Sequence, residues 1–254
     1  MSKNQGGGQK IKWKALVAYD GTDYAGFQKQ PNAPTIQGEL EAILMRMHRD
    51  EIQVIGSGRT DAGVHAKGQV IHFESDLQLK PAEWQRALNA QLPEAIRILS
   101  VEQAAPDFHA RYSACGKEYR YFIDRSAVRN PFLRRYSMHM PYPLDVKRMG
   151  EAAQLLKGTH DFSAFSSART AVKNKIRTIE KLTVHTRGKV MVIRCRGDGF
   201  LYNMVRIIVG TLLEVGQGRK SLVDIEQALK EGDRTLTGPT APAEGLFLWK
   251  VFYP

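Results

Sequence analysis

Between residues 11 and 19 the apolar side chains fall on every second position. Ile11, Trp13, Ala15, Val17 and Tyr19 are apolar, whereas Lys12 and Lys14 between them are charged. A period of two reads as a strand with one buried face. The next segment changes period. Ile36, Leu40, Ile43, Leu44 and Met47 recur at helical spacing and predict a helix over 35–48. Residues 53–55 and 70–73 predict short strands around a Gly-rich connection. Pro81 suits the first turn of a helix with Trp84 and Leu88 on one face. Residues 96–101 and 117–124 are strand-like. The second half repeats the theme. Asp145 is placed to cap a helix bearing Val146, Met149, Ala153 and Leu156. Residues 179–186 and 190–196 read as a hairpin around Gly188, and 199–215 as a buried helix. Ser221 with Asp224 opens another helix through a capping box, and 246–252 closes with a strand.

Strands and helices are therefore mixed, and several strands follow one another through short turns. This predicts an α+β class, with two similar α/β halves joined through a shared, largely antiparallel sheet and helices on one face. The sequence divides into a polar, Gly-rich tail at 1–10, an N-terminal half at 11–110 and a C-terminal half at 111–254. The long loop at 126–143 reads as the junction between halves.

Charge narrows the partner. The 254 residues carry 37 Lys or Arg against 26 Asp or Glu, a net charge of +11. The excess is confined to two stretches. Residues 109–135 hold seven basic residues and two acids, and 166–196 hold nine and one; the rest of the chain is slightly acidic. Tyr112, Tyr119, Tyr121, Phe122, Phe132 and Tyr136 lie in or beside the first stretch. Basic groups neutralise phosphates and aromatic faces stack on bases, so the pattern fits a nucleic acid held in a basic cleft. Solvated strand faces are the competing reading. The two cysteines, Cys115 and Cys195, exclude a disulfide framework and an all-thiolate metal site, and fit a reducing, cytoplasmic compartment. No apolar run is long enough for a membrane span, and the first ten residues lack the apolar segment of a secretory signal.

The most informative segment is Gly56-Ser57-Gly58-Arg59-Thr60-Asp61-Ala62-Gly63-Val64-His65-Ala66. It puts a guanidinium and a carboxylate two positions apart in a glycine-rich loop, where an extended backbone would project both to one side. Glycines admit backbone conformations closed to other residues and let a ligand come close. A carboxylate beside a cation stays ionised and serves as nucleophile or base. The competing reading is a turn with a surface ion pair of little consequence. As a nucleotide loop the segment fails: Asp61 stands where a dinucleotide motif needs its third glycine, and no Lys-Ser or Lys-Thr follows. No nucleotide cofactor is expected.

The segment 58–66 resembles the signature of the bacterial tRNA pseudouridine synthase A family. The resemblance runs from about Ile11 to the end. It takes in Tyr19-Asp20-Gly21-Thr22-Asp23-Tyr24-Ala25-Gly26-Phe27-Gln28, then Asp107-Phe108-His109-Ala110-Arg111 and Lys117-Glu118-Tyr119-Arg120-Tyr121. His160-Asp161-Phe162-Ser163-Ala164-Phe165, Gly199-Phe200-Leu201-Tyr202-Asn203-Met204-Val205-Arg206 and Pro242-Ala243-Glu244-Gly245-Leu246 follow in order. The resemblance implies conversion of uridine to pseudouridine in the anticodon stem-loop of tRNA, at positions 38 to 40, by a homodimer without metal or other cofactor. No electrons leave and no group is lost, so the chemistry needs none.

The resemblance further implies that Asp61 is the essential carboxylate. Two routes stay open, covalent attack on sugar or base and removal of a ribose proton to give a glycal-like intermediate. Either needs Asp61 ionised, and a dry pocket opposes that unless a cation is near; Arg206 is the candidate. Arg59 is implied to hold the everted nucleotide or to contact the RNA backbone. Tyr119 is implied to pack on the uracil, with its hydroxyl available for proton transfer at C5, and Leu246 to line the substrate site. Tyr121 reads as core packing. Phe108, His109, Ala110, Arg111 and Tyr112, and Arg169, Thr170, Ala171, Val172 and Lys173, resemble the family's tRNA-contacting loops, with Arg111 and Arg169 first among phosphate ligands. Lys175, Arg125 and Arg129 rank behind them. His65, His109 and His160 lack metal-ligand spacing and read as structural. The alternatives are a non-catalytic structured-RNA-binding protein, which would not need Asp61, and a small-molecule enzyme with an anionic substrate, which the extent of basic sequence disfavours.

Overall fold

The computed structural model describes residues 10–167 and 172–254. They form two compact units. The first runs through Ala114 and takes in Tyr253 and Pro254; the second is Cys115–Phe252.

The first unit contains β1 (Ile11–Tyr19), α1 (Ile36–His48), β2 (Ile55–Gly56), β3 (His65–Ser75), α2 (Pro81–Asn89) and β4 (Ile96–Gln103). Its sheet has the order β4-β1-β3, antiparallel throughout, with β2 on β3. The two-residue period of β1 is realised, since Trp13, Ala15, Val17 and Tyr19 are all buried. Thr35 caps α1 by accepting from Gly38 N–H. Helix α2 starts with Pro81 at its first position, where the missing N–H costs nothing. Its Trp84 is fully buried and gathers a ring from each of three other elements: Trp13 of β1 at 5.9 Å, His48 of α1 at 5.9 Å and Phe73 of β3 at 5.2 Å. Truncating such a side chain typically costs about 3–5 kcal/mol. Trp13 and Phe73 are paired in register, and so are the next residues, Lys14 and His72, whose side chains point to the opposite face.

The second unit contains β5 (Gly116–Asp124), β6 (Met138–His139), α3 (Val146–Leu155), β7 (Gly158–Asp161), β8 (Ile176–Arg187), β9 (Val190–Gly197), α4 (Met204–Gly216), α5 (Leu222–Glu231) and β10 (Leu246–Phe252). Strand order is β10-β5-β9-β8-β7, all antiparallel, with the short β6 parallel to β5. Helix α4 is apolar nearly all round and buried, and α3 packs against it. Asp145 caps α3, and Ser221 and Asp224 close the expected capping box on α5. Both units are thus α+β with largely antiparallel sheets, as the periodicities predict. Among the described residues no helix is long and apolar enough to cross a membrane.

Three local expectations are corrected. Helix α4 begins at Met204, not near residue 199, because Asn203 adopts a left-handed conformation (φ 61°) that a helix cannot continue through. Strand β3 is far longer than 70–73. It is buried along most of its length, so the buried His65, Gln69 and His72 interrupt its apolar pattern without interrupting the strand. The loop 126–143 is not a junction, since the chain passes between units at Ala114 and Cys115. The Asp124 carboxylate accepts from Ser126 N–H (3.0 Å) and Asn130 N–H (3.2 Å), and β6 pairs with β5, so the loop is fastened to the second unit.

Candidate catalytic loop and nucleic-acid-contacting segments

In the first unit the Asp61 loop joins β2 to β3. The loop is fixed from outside on both sides of Asp61, at Ser57, Gly58, Thr60 and Gly63. Ser57 N–H donates to Val70 O (2.7 Å), and Ser57 Oγ to Gln69 Oε1 (2.6 Å). Gln69 Nε2 in turn donates to Gly58 O (2.9 Å). Thr60 turns inward, its hydroxyl 2.8 Å from the buried Tyr19 hydroxyl and its carbonyl accepting from Phe27 N–H (3.1 Å). Burial pushes Tyr19 up to about 12, so the phenol stays neutral and available as a hydrogen-bond partner. Gly63 N–H donates to Tyr24 O (3.3 Å) and Gly21 N–H to His65 Nδ1 (3.1 Å).

The 19–28 segment can lie this close only because of its glycines. A Cβ on Gly21 would stand 2.1 Å from Val64 O. Gly26, at φ 101°, would put one 2.7 Å from Thr60 O. Asp61 is left half-buried at the apex of this framework, and Arg59 is exposed. Arg59 forms no ion pair among the described residues, so the Arg59–Asp61 pairing expected from their spacing is not made. His65 is fully buried and structural, as expected.

The segment 108–112, also in the first unit, is a tight turn whose five residues have different tasks. His109 Nδ1 accepts from the N–H groups of Arg111 (3.2 Å) and Tyr112 (3.1 Å). Ala110 is buried, and both its polar backbone atoms are held by distant side chains. Its N–H donates to His72 Nδ1 (3.1 Å), and its carbonyl accepts from the Tyr253 hydroxyl (2.7 Å). Burial, with His109 and Lys12 nearby, pushes His72 down to about 4, which keeps Nδ1 free to accept. Phe108 packs on Tyr253 at 5.2 Å, and Lys14 Nζ lies 5.3 Å and 4.9 Å from the two ring centres. Arg111 and Tyr112 project into solvent. The Tyr112 ring, 77% exposed, stacks on His109 at 4.3 Å. The sequence reading missed His72, Tyr253, Tyr19 and Gln69. Polar side chains inside otherwise apolar strands were the available signal for His72 and Gln69.

In the second unit Tyr119 lies on β5, 8% exposed, with its ring edge-on to Phe200 at 5.1 Å. Tyr121 is wholly buried and donates its hydroxyl to Pro242 O (2.8 Å), in keeping with the packing reading. Leu246 pairs with Tyr121 at the start of β10 and is buried. Arg206, in the first turn of α4, is half-buried. Its Nε donates to Ala241 O (2.7 Å) and its Nη1 to Asn203 Oδ1 (3.1 Å), so it is a positioned guanidinium and not a loose surface charge.

Much of the remaining basic sequence proves to be strand face. Arg120 and Arg194 share the buried Glu118, and Arg196 pairs with Glu180 at 2.7 Å. Arg120 and Arg196 also stack on Trp249 and Phe252, at 4.0 Å and 4.1 Å. Val172 and Lys173 are exposed. Arg169, Thr170 and Ala171 lie outside the described residues.

Comparison with known proteins bears on this arrangement. A family model described as tRNA pseudouridine synthase matches residues 15–113 and 152–254. The two matched segments fit two similar halves. The chain is 53% identical over 241 residues to a protein from Geobacillus kaustophilus named tRNA pseudouridine synthase A, covering 94% of this chain and 93% of that one. Proteins of the same name from Brevibacillus brevis (51% over 240 residues, 94% and 98% covered) and Listeria monocytogenes (47% over 245 residues, 95% and 99%) are similar to it as well.

Proposed function

The chain belongs to the tRNA pseudouridine synthase family, and on that premise we propose that it isomerises uridine in the anticodon stem-loop, at positions 38 to 40, through the Asp61 carboxylate. The enzyme is an isomerase that makes pseudouridine in tRNA. In that reaction the N1–C1′ bond breaks, the uracil turns, C5 bonds to C1′, and the proton on C5 is lost while N1 regains one. The observation that carries the proposal for Asp61 is the framework around it. A half-buried carboxylate sits in a loop whose flanking peptides are tied to Tyr19, Phe27, Gln69 and Val70. A reacting group needs that constancy, because a misplacement of about 1 Å can cost roughly 100-fold in rate.

The target uridine has to leave its stack to be reached, which costs a few kcal/mol. In this reading Tyr119 packs on the uracil, which returns roughly 1–3 kcal/mol, with Leu246 lining the same site. Arg59, exposed two residues from Asp61, holds the everted nucleotide or contacts the RNA backbone, and Arg206 is the cation that keeps Asp61 ionised. The loops 108–112 and 169–173 contact the tRNA, Arg111 and Arg169 leading on its phosphates, and supply the remaining affinity; Ala110, buried with both its polar backbone atoms taken, anchors the first loop and does not itself touch RNA. The enzyme works as a homodimer in the cytoplasm. Unmodified tRNA incubated with the protein, followed by mapping of pseudouridine along the anticodon arm, tests the site. Asp61→Asn is expected to abolish conversion while tRNA affinity stays within about threefold, since only the chemical step needs the carboxylate. Pseudouridine formed by that variant would remove Asp61 from the mechanism. A large rate loss in Tyr119→Phe with affinity retained favours the hydroxyl's proton-transfer role; full activity leaves it stacking alone.

A further inference from the structure

The two segments matched by the family model leave a gap between residues 113 and 152. Inside that gap lies a loop of which only Arg125 and Arg129 have a role so far, as lesser phosphate ligands. From Asp124 to Asp145 no acidic residue intervenes, while Arg125, Arg129, Arg134 and Arg135 do. We propose that residues 125–136 form a second RNA-contact surface of this enzyme, in which Phe132 offers its ring to a base and Arg129 and Arg134 take flanking phosphates. The proposal rests on tRNA being the substrate.

The loop is built, not loose. Asp124 anchors its start through Ser126 and Asn130, and Asn130 Oδ1 accepts from Phe132 N–H (2.9 Å). Leu133 N–H returns to Asn130 O (3.1 Å), Tyr136 N–H to Leu133 O (2.9 Å) and Ser137 Oγ to Leu133 O (3.0 Å). Yet this ordered loop holds Phe132 at 86% and Val128 at 83% exposure. A rigid backbone that keeps an aromatic ring in water has already met the ordering cost that binding would otherwise impose.

The arginines differ from those on the strands of the same unit. Arg120, Arg194 and Arg196 are spent on Glu118 and Glu180. Arg129 donates to the neutral carbonyl of Arg134 (3.2 Å) and, among the described residues, has only Glu244, at 4.0 Å, as a carboxylate. Arg134 donates to Pro131 O (3.1 Å). The Nε–H of Arg125 is enclosed and meets no acceptor among the described residues. Carbonyl bonds orient a guanidinium without cancelling its charge, so the loop keeps a positive field around an exposed ring. That is the pairing single-stranded or looped RNA requires. A second copy of this chain is the other possible occupant. A two-fold contact here would set the same arginines against themselves, which disfavours it.

The test uses the whole chain, unmodified tRNA and a salt series, with oligomeric state followed by sedimentation. Phe132→Ala is expected to weaken tRNA binding by roughly 5- to 150-fold, the equivalent of about 1–3 kcal/mol for one stacked base. Arg134→Ala is expected to reduce the salt slope by about one. Unchanged affinity and slope in both variants overturn the proposal. So does a change in oligomeric state with affinity per subunit retained, which would give the surface to a second copy. If wild-type protein binds the tRNA but leaves its uridines unconverted, the functional reading fails and the affinity test of the loop still stands.

Discussion

The first unit carries two loops of opposite design. The Asp61 loop is gripped along its length: its carbonyls, amides and hydroxyls meet partners from β1, β3 and the 19–28 segment. The 108–112 turn is anchored from outside mainly through one residue, Ala110, and lets Arg111 and Tyr112 reach outward. The contrast follows from the work proposed for each. Bond rearrangement tolerates little displacement, whereas a phosphate can be met by a long, flexible guanidinium from many positions. Rigid placement belongs to the loop that reacts, and a single pivot is enough for the loop that holds.

Substitutions at the two loops should therefore fail differently. Gly21→Ala drives a methyl against Val64 O and must displace the Asp61 loop; conversion is expected to fall at least 100-fold while tRNA affinity changes less than threefold, measured by single-turnover assay and binding titration. Equal losses in both would erase the contrast. Arg111→Ala is expected to do the reverse, weakening binding to many tRNAs alike and lowering the salt slope by about one. His72 sharpens the comparison through pH. Its folded-state value, about 4, lies below the usual 6.5 for histidine, so the unfolded chain takes up the proton first. The stability it contributes is present above about pH 6.5 and is lost as pH falls towards 4. Denaturant titrations should show a steeper loss of stability between about pH 6.5 and 4 in wild type than in His72→Gln. Tyr253→Phe is the mildest change. It deletes one hydrogen bond, worth about 0.5–1.5 kcal/mol, and should raise the tRNA Kd slightly with turnover at saturation retained.

Local rules carried the sequence reading far. Alternation gave β1 to the residue, and the Ser221–Asp224 box and Asp145 cap sit where their chemistry places them. Tyr121 was readable as core because packing is the ordinary role of a tyrosine inside a strand, and its ring is wholly buried. What failed was non-local. No pattern near residue 72 indicates that its ring will hold the amide of residue 110, because that link depends on the register of β1 and β3. The charge count could not separate Arg194, facing Glu118 across a strand pair, from Arg134 on a loop. Arg59 and Asp61 look like a pair by spacing, but spacing alone does not bring two side chains together, and Arg59 makes no ion pair among the described residues.

Tyr253 adds a matter of timing. It belongs to the first unit, yet a ribosome makes it only after the whole of the second. A nascent chain therefore carries the 108–112 turn without one of its two anchors through about 140 further additions. Contacts this remote in sequence form late. The turn we propose for RNA contact is then among the last parts of the molecule to set, and on that proposal a partly made enzyme has little purchase on the substrate it is being made to modify.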